Sequence, residues 1–132
     1  MTQIEKLLQE TAVSSQSIQQ IQHGVKTTLA EVMGDSSPEM LDEMSSIFLE
    51  DALPLIDQIK SGYLSQNFDS IKMAAHALKG SSATIGLITF AEICQQVENS
   101  SKANQLDGLD GQIAAMEIEY SQIKTALTAF LL

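Results

Sequence analysis

Apolar residues recur along this chain with a helical period and nowhere with a period of two. From Ile113 they run Ile113, Met116, Tyr120, Ile123, Leu127 and Phe130. Steps of three and four place these positions along one face of an α-helix as a narrow seam. A second seam with the same steps runs Phe68, Ile71, Ala75, Leu78, Ser82 and Ile85. A half-buried strand would need strict alternation over several residues, and no stretch supplies it.

The punctuation between seams agrees with helices. Asn67 suits an N-cap and Gly86 a helix stop. Asp107-Gly108 and Asp110-Gly111 mark a break before the last seam. Thr89-Phe90-Ala91-Glu92 reads as a capping box, opening a helix that turns Phe90, Cys94 and Val97 one way and ends near Asn99-Ser100-Ser101. Ser37-Pro38-Glu39 opens another, with Ser37 as N-cap and Pro38 at the first helical position. Its buried face is Leu41, Met44 and Phe48. Leu55, Ile56 and Ile59 continue it past Pro54, which predicts a kink or short break near Glu50–Leu53. Toward the N-terminus, Ile4, Leu7 and Leu8 suggest a short helix, and Ser14–Ser17 a weak break. Ile18, Ile21, Val25, Leu29 and Val32 suggest a further helix ending near Gly34, although Gly24 inside it costs about 1 kcal/mol against Ala. The pattern predicts an all-α fold: an up-down antiparallel four-helix bundle with an additional N-terminal helix. Residues 1–24 are read as a helical extension and residues 25–132 as the bundle.

Composition excludes several functions. The 132 residues carry 17 acids and 7 bases, a net charge of −10, and every base is Lys. A chain this acidic, with no Arg for bidentate contacts, is a poor binder of a nucleic-acid backbone or an anionic membrane. The one cysteine, Cys94, rules out an internal disulfide and reads as a small core residue, since nothing basic adjoins it. No apolar run approaches the ~20 residues that span a bilayer. The start Met1-Thr-Gln-Ile-Glu lacks the pattern of a signal peptide. These features favour a cytoplasmic protein.

One segment stands out chemically, Ala75-His76-Ala77-Leu78-Lys79-Gly80-Ser81-Ser82-Ala83-Thr84-Ile85-Gly86. With Ala75, Leu78 and Ser82 facing the core, His76 turns outward. It shares a stripe with Lys72, Lys79, Gly80 and Ala83. Two ammonium groups beside an imidazole disfavour its protonated form, and a neutral ring has a free nitrogen able to act as a nucleophile. A phosphoryl group on that nitrogen would bring roughly 1.5 to 2 negative charges, and the same lysines would then stabilise it. Gly80 would cost a mid-helix position about 1 kcal/mol but leaves a dent through which another protein can approach.

The run His76-x-Leu78-Lys79-Gly80-Ser81-Ser82-x-x-x-Gly86 resembles the signature of histidine-containing phosphotransfer domains, the intermediates of two-component phosphorelays. The resemblance covers roughly Val25 to the C-terminus, and Phe48-Leu49-Glu50-Asp51-Ala52 reads like the family's second helix. It implies that His76 carries a phosphoryl group on Nε2 and that Lys79 neutralises it. Gly80 would permit close docking, and Ser82 and Gly86 would support the helix and its end. Gln is common in the family where this chain has Glu98. A carboxylate there would accept the imidazole Nδ1–H and orient the ring, while its charge would favour the imidazolium and oppose the lysines. Lys102 matches a position where some members carry Arg and would help receive an acidic partner. The implied partners are response-regulator receiver domains and a hybrid sensor histidine kinase. The chain needs no cofactor of its own, because the Mg²⁺ and catalytic carboxylates sit on the receiver. It is then a phosphotransfer protein with no autonomous kinase activity, and a monomer is the default.

Other readings compete. A helical adaptor could bind receivers or kinases without being phosphorylated, and a structural bundle within a larger sensor is a third option. A di-metal bundle site needs Glu-x-x-His pairs, but Met73 and Gln20 stand at the required positions. A kinase dimerisation helix would place an acid after the His and a Pro beyond it, where this chain has Ala77 and no downstream Pro. His23 is read as solvated surface. The methionines at 33, 40, 44, 73 and 116 are read as core filler. The acids at 39, 42, 43, 50, 51 and 57 are read as a solvated face, with Asp51 bordering a surface patch.

Overall fold

The computed structural model describes residues 17–132, which form five helices. They are α1 (Ile18–Val32), α2 (Pro38–Ser65), α3 (Phe68–Thr84), α4 (Ile88–Lys102) and α5 (Leu109–Thr128). No strand occurs among the described residues. Helices α2 to α5 close a ring in which α2 packs on α3, α3 on α4, α4 on α5 and α5 back on α2. The fifth helix, α1, lies against α5. Short connections between sequential neighbours make this an antiparallel bundle with an extra N-terminal helix, as the periodicity predicts. The short helix expected around Ile4, Leu7 and Leu8 lies outside the described residues.

The seams become the core. Ile113, Met116, Ile123 and Leu127 of α5 are buried, as are Ile71, Ala75, Leu78 and Ser82 of α3 and Leu41, Phe48, Ile56 and Ile59 of α2. Phe90 of α4 ties the bundle together. Its ring meets Phe48 edge-on at 6.3 Å and tilts against Tyr120 at 6.3 Å. Helix α1 contributes Ile21, Val25 and Leu29, and Gln22 Nε2 donates to the Ala126 carbonyl at 3.1 Å.

Four local expectations need correction. The short break expected near Glu50–Leu53 does not occur, because helix α2 is continuous through Pro54. The amide that Pro54 lacks would have bonded the Glu50 carbonyl, and both residues are exposed, so water can take the freed acceptor. The expected capping box at Thr89 is absent, because α4 opens at Ile88 with Leu87 as a non-bonding N-cap. Leu87 is already committed: its amide reaches back to Ser82 O at 2.8 Å and that of Gly86 to Ala83 O at 3.2 Å. This double return closes α3 in a Schellman motif, with Leu87 buried beneath it. Finally, Met33 and Met73 are 51% and 65% exposed, so only part of the methionine set fills core. Asp110-Gly111 is also no break; it lies in the first turn of α5, behind Gly108.

Gly86 does more than stop a helix. Its φ is +84°, and a Cβ there would stand 2.2 Å from Thr28 Oγ1 and 2.8 Å from the Gly24 carbonyl. Gly24 sits in turn against the Gly86 carbonyl, 3.4 Å from where its own Cβ would be. The mid-helix glycine of α1 therefore marks where that helix packs on the α3–α4 turn. Gly86→Ala should destabilise the fold by about 2 kcal/mol or more, from the left-handed backbone and the clash together. Urea denaturation measures it. A loss under about 0.5 kcal/mol would mean that α1 can shift away from the turn.

Candidate functional site

Helix α3 fixes the site by its phase. The Asn67 side chain caps it by accepting from the Ser70 amide at 3.1 Å. Burial of Ile71, Ala74, Ala75, Leu78 and Ser82 then sets its rotation. Ser82 is accommodated inside because its hydroxyl donates to the Leu78 carbonyl at 2.6 Å. Ala74 and Ala75 face the bundle core, to which Cys94 of α4 also belongs. In that rotation the His76 side chain is 67% exposed.

Opposite His76, α4 presents a buried acid. Glu98 is 2% exposed, and its carboxylate collects three donors. His76 Nδ1 lies 3.0 Å from Oε2, and Lys79 Nζ donates to Oε1 at 2.8 Å. Lys102 Nζ lies 3.3 Å from Oε2. Burial pushes the carboxyl pKa up, but the hydrogen bonds from Lys79, His76 and Lys102 outweigh it and hold the group at about 2. Glu98 is therefore an anion that can only accept, so the His76 proton sits on Nδ1 and donates to it. In the neutral ring Nε2 is then the bare nitrogen, and it points away from α4's carboxylate.

The lysines are placed differently from the sequence expectation of two free cations beside the imidazole. Lys79 bonds Glu98 and also Gln95 Oε1 at 2.9 Å. Lys72 lies 3.5 Å from Asp69. Lysines 72, 79 and 102 still border the ring's surroundings. Around Glu98 alone, two ammonium groups and an imidazole share one carboxylate. That leaves a local positive excess on a chain whose net charge is −10.

The other singled-out positions spread along the outer face of α3. Gly80 and Ala83 are exposed, and a Cβ on Gly80 would meet nothing within 4 Å. Two open grooves flank the stripe. One is lined by Lys72, Met73, His76, Glu98 and Lys102. The other lies between α2 and α3, lined by Met44, Ile47, Phe48, Asp51, Ser81, Thr84 and Ile85. His23 is exposed, and Cys94 is buried with its thiol pKa pushed up to about 12 by that burial. No cluster of three or more metal-ligating side chains occurs among the described residues. Sequence reasoning missed Gln95 and Asp69 as lysine partners. Gln95 lies three residues before Glu98, so its place on the same face of α4 was readable.

A depressed carboxyl makes stability depend on pH. Glu98 falls from an ordinary 4.5 to about 2, worth at most about 3 kcal/mol at 1.36 kcal/mol per unit. That contribution is complete above the unfolded value and lost as pH falls through the folded one. The stability difference between wild type and Glu98→Gln should therefore shrink between about pH 5 and pH 2. Urea midpoints across that range test it; a constant difference would mean that Glu98 is not the titrating group.

The chain matches a family model, that of the Hpt domain, over residues 43–129. It is 28% identical over 104 residues to histidine-containing phosphotransfer protein 2 of Arabidopsis thaliana, covering 76% of this chain and 67% of that one. It is 33% identical over 90 residues to the sensor protein TorS of Escherichia coli K12, covering 67% of this chain but only 10% of TorS. The crystal structure of histidine-containing phosphotransfer protein B from Pseudomonas aeruginosa PAO1 superposes with a TM-score of 0.63, at 24% identity, covering 80% of this chain and 88% of that one. That likeness supports the fold. The family model spans the outward imidazole, its carboxylate and the glycine stripe, and on that match the chain belongs to the Hpt domain family.

Proposed function

We propose that this chain is a phosphorelay intermediate, which accepts a phosphoryl group on His76 from a receiver domain's aspartyl phosphate and passes it to another receiver. One observation carries the assignment: Nδ1 of His76 is held by Glu98, so the exposed Nε2 is the nitrogen left for chemistry. The similarity to a histidine-containing phosphotransfer protein and to a segment of a sensor protein supports partners of the receiver and histidine kinase class.

The chemistry asks little of this chain beyond position and charge. Nε2 is presented on a rigid helix, which lowers the entropic cost of the in-line approach. The transferring group is anionic throughout, and Lys79 and Lys102 stand ready to share its charge. The Mg²⁺ and the carboxylates that handle it belong on the receiver. The chain then acts as carrier rather than as kinase. Gly80 would let the partner's backbone close on the helix, with exposed Ile47 and Met73 beside it as apolar contacts. We read the chain as a monomer acting in the cytoplasm. No helix among the described residues is long and apolar enough to cross a membrane. The adaptor reading gains no observation of its own, since it leaves the outward Nε2 without a use.

Two variants test this with a panel of phosphorylated receivers and Mg²⁺. His76→Gln should abolish the acid-labile label and leave the bundle folded, at a cost of no more than about 2 kcal/mol, because the side chain is largely exposed but is one of three donors to the buried Glu98. Label surviving in that variant would overturn the assignment. Gly80→Gln should slow transfer at least about tenfold while the fold stays within about 1 kcal/mol, since helix propensity improves. Transfer at the wild-type rate would show that partners do not close on Gly80.

A further inference from the structure

The hydrogen bond that orients His76 needs only an acceptor. An amide oxygen would serve, yet the acceptor is a buried, ionised carboxylate. That charge changes the chemistry of the ring once it carries phosphorus.

We infer that Glu98 is a positioning residue that keeps the proton on Nδ1 of phosphorylated His76, and so holds the phosphoryl group in a short-lived, readily transferred form. The inference rests on His76 being the acceptor. In the loading step the Nε2 lone pair bonds phosphorus, the receiver's aspartyl P–O bond breaks, and its electron pair stays on the Asp carboxylate. No proton need leave, because Nε2 carried none. The ring keeps Nδ1–H and becomes an N-phosphoryl imidazolium, with Glu98 Oε2 3.0 Å from Nδ1 as counter-ion. In the next transfer the N–P bond breaks, its electron pair returns to Nε2, and the ring departs as a neutral imidazole. Had Nδ1 lost its proton, the ring would depart as an imidazolate, a far poorer leaving group.

The surrounding charges reinforce this. On α3 the charged groups facing the ring are Lys79 and Lys72, the latter paired with Asp69. On α4 they are Glu98 and Lys102. At rest Lys79 and Lys102 both spend their charge on Glu98. An arriving phosphoryl group, at roughly −1.5 to −2, competes for them. As they turn to it, the Glu98 charge is less shared and acts more strongly on Nδ1–H. The carboxylate thus gains hold on the ring proton in the state where that proton matters.

The test uses the full chain phosphorylated by phosphoramidate, with no receiver present, and His76→Gln as the control for label position. Nitrogen-15 NMR of the phosphorylated wild type should show Nδ1 still bearing its proton at about pH 8. After reagent removal, label on Glu98→Gln should persist about tenfold longer than on wild type, the difference between a charge-assisted and a neutral hydrogen bond. A bare Nδ1 in the wild type, or equal lifetimes in the two proteins, would overturn the inference. If circular dichroism shows that Glu98→Gln does not fold, the wild-type spectrum decides alone. A folded wild type that takes no label at His76 would overturn the relay reading itself, and this inference with it.

Discussion

An ionised carboxylate taken out of water costs several kcal/mol unless it is paired and hydrogen-bonded. Glu98 meets that condition only because α3 lies close enough to α4 for His76 and Lys79 to reach it. Lys102, one turn along α4, closes the set. Ala74 and Ala75 of α3 and Cys94 of α4 are small, buried side chains of the same core. Core packing and site geometry are therefore one constraint, and the exposed imidazole is oriented by something buried.

This explains which parts were legible in the sequence. Helix number, order and phase follow from local spacing, which is why the α3 seam placed His76 outward and Ser82 inward. Asn67, Ser37 and Gly86 act within a few residues of themselves, so their roles as punctuation could also be read. The pairing of Lys79 with Glu98 joins positions 19 residues apart, and nothing in either helix's periodicity states it. For the same reason Lys72 and Lys79 read as free cations flanking an imidazole, when Lys79 is spent on Glu98 and Lys72 lies against Asp69. Thr89 had the right residue types for a capping box. Burial of Leu87 beneath the preceding turn moved the helix start, and only tertiary packing decides that. Gly24 looked like a flaw in α1 until the Gly86 turn filled the space beside it.

The charge distribution resolves a tension in the composition. A chain at −10 repels other acidic proteins at long range, and the relay reading needs it to meet an anionic phosphoryl group. At physiological ionic strength exposed charges are screened beyond about 8 Å. Within that radius of His76 Nδ1, the partners that bind directly on Glu98 are Lys79 and Lys102, both cationic. On α2, Glu39, Glu43, Glu50 and Asp57 are exposed to solvent, whereas Glu119 of α5 is buried. Local charge therefore governs the encounter at contact.

A carrier has to balance two demands, since an intermediate that is too stable stalls the relay and one that is too labile is lost to water. The carboxylate and the lysines act on opposite sides of that balance. Lysines close to the phosphoryl oxygens stabilise the loaded state, while a protonated ring lowers the barrier to unloading. With an amide at position 98 the lysines would be held less tightly at rest and the ring proton would be held only by a neutral bond. With Glu98, both lysines must first be drawn off a buried anion, so loading returns less stabilisation, and the ring retains its proton. Both consequences favour rapid onward transfer over storage. On the proposed relay role, the same side chain, only 2% exposed, sets the orientation of the nucleophile, the resting place of its cations and the quality of the ring as a leaving group.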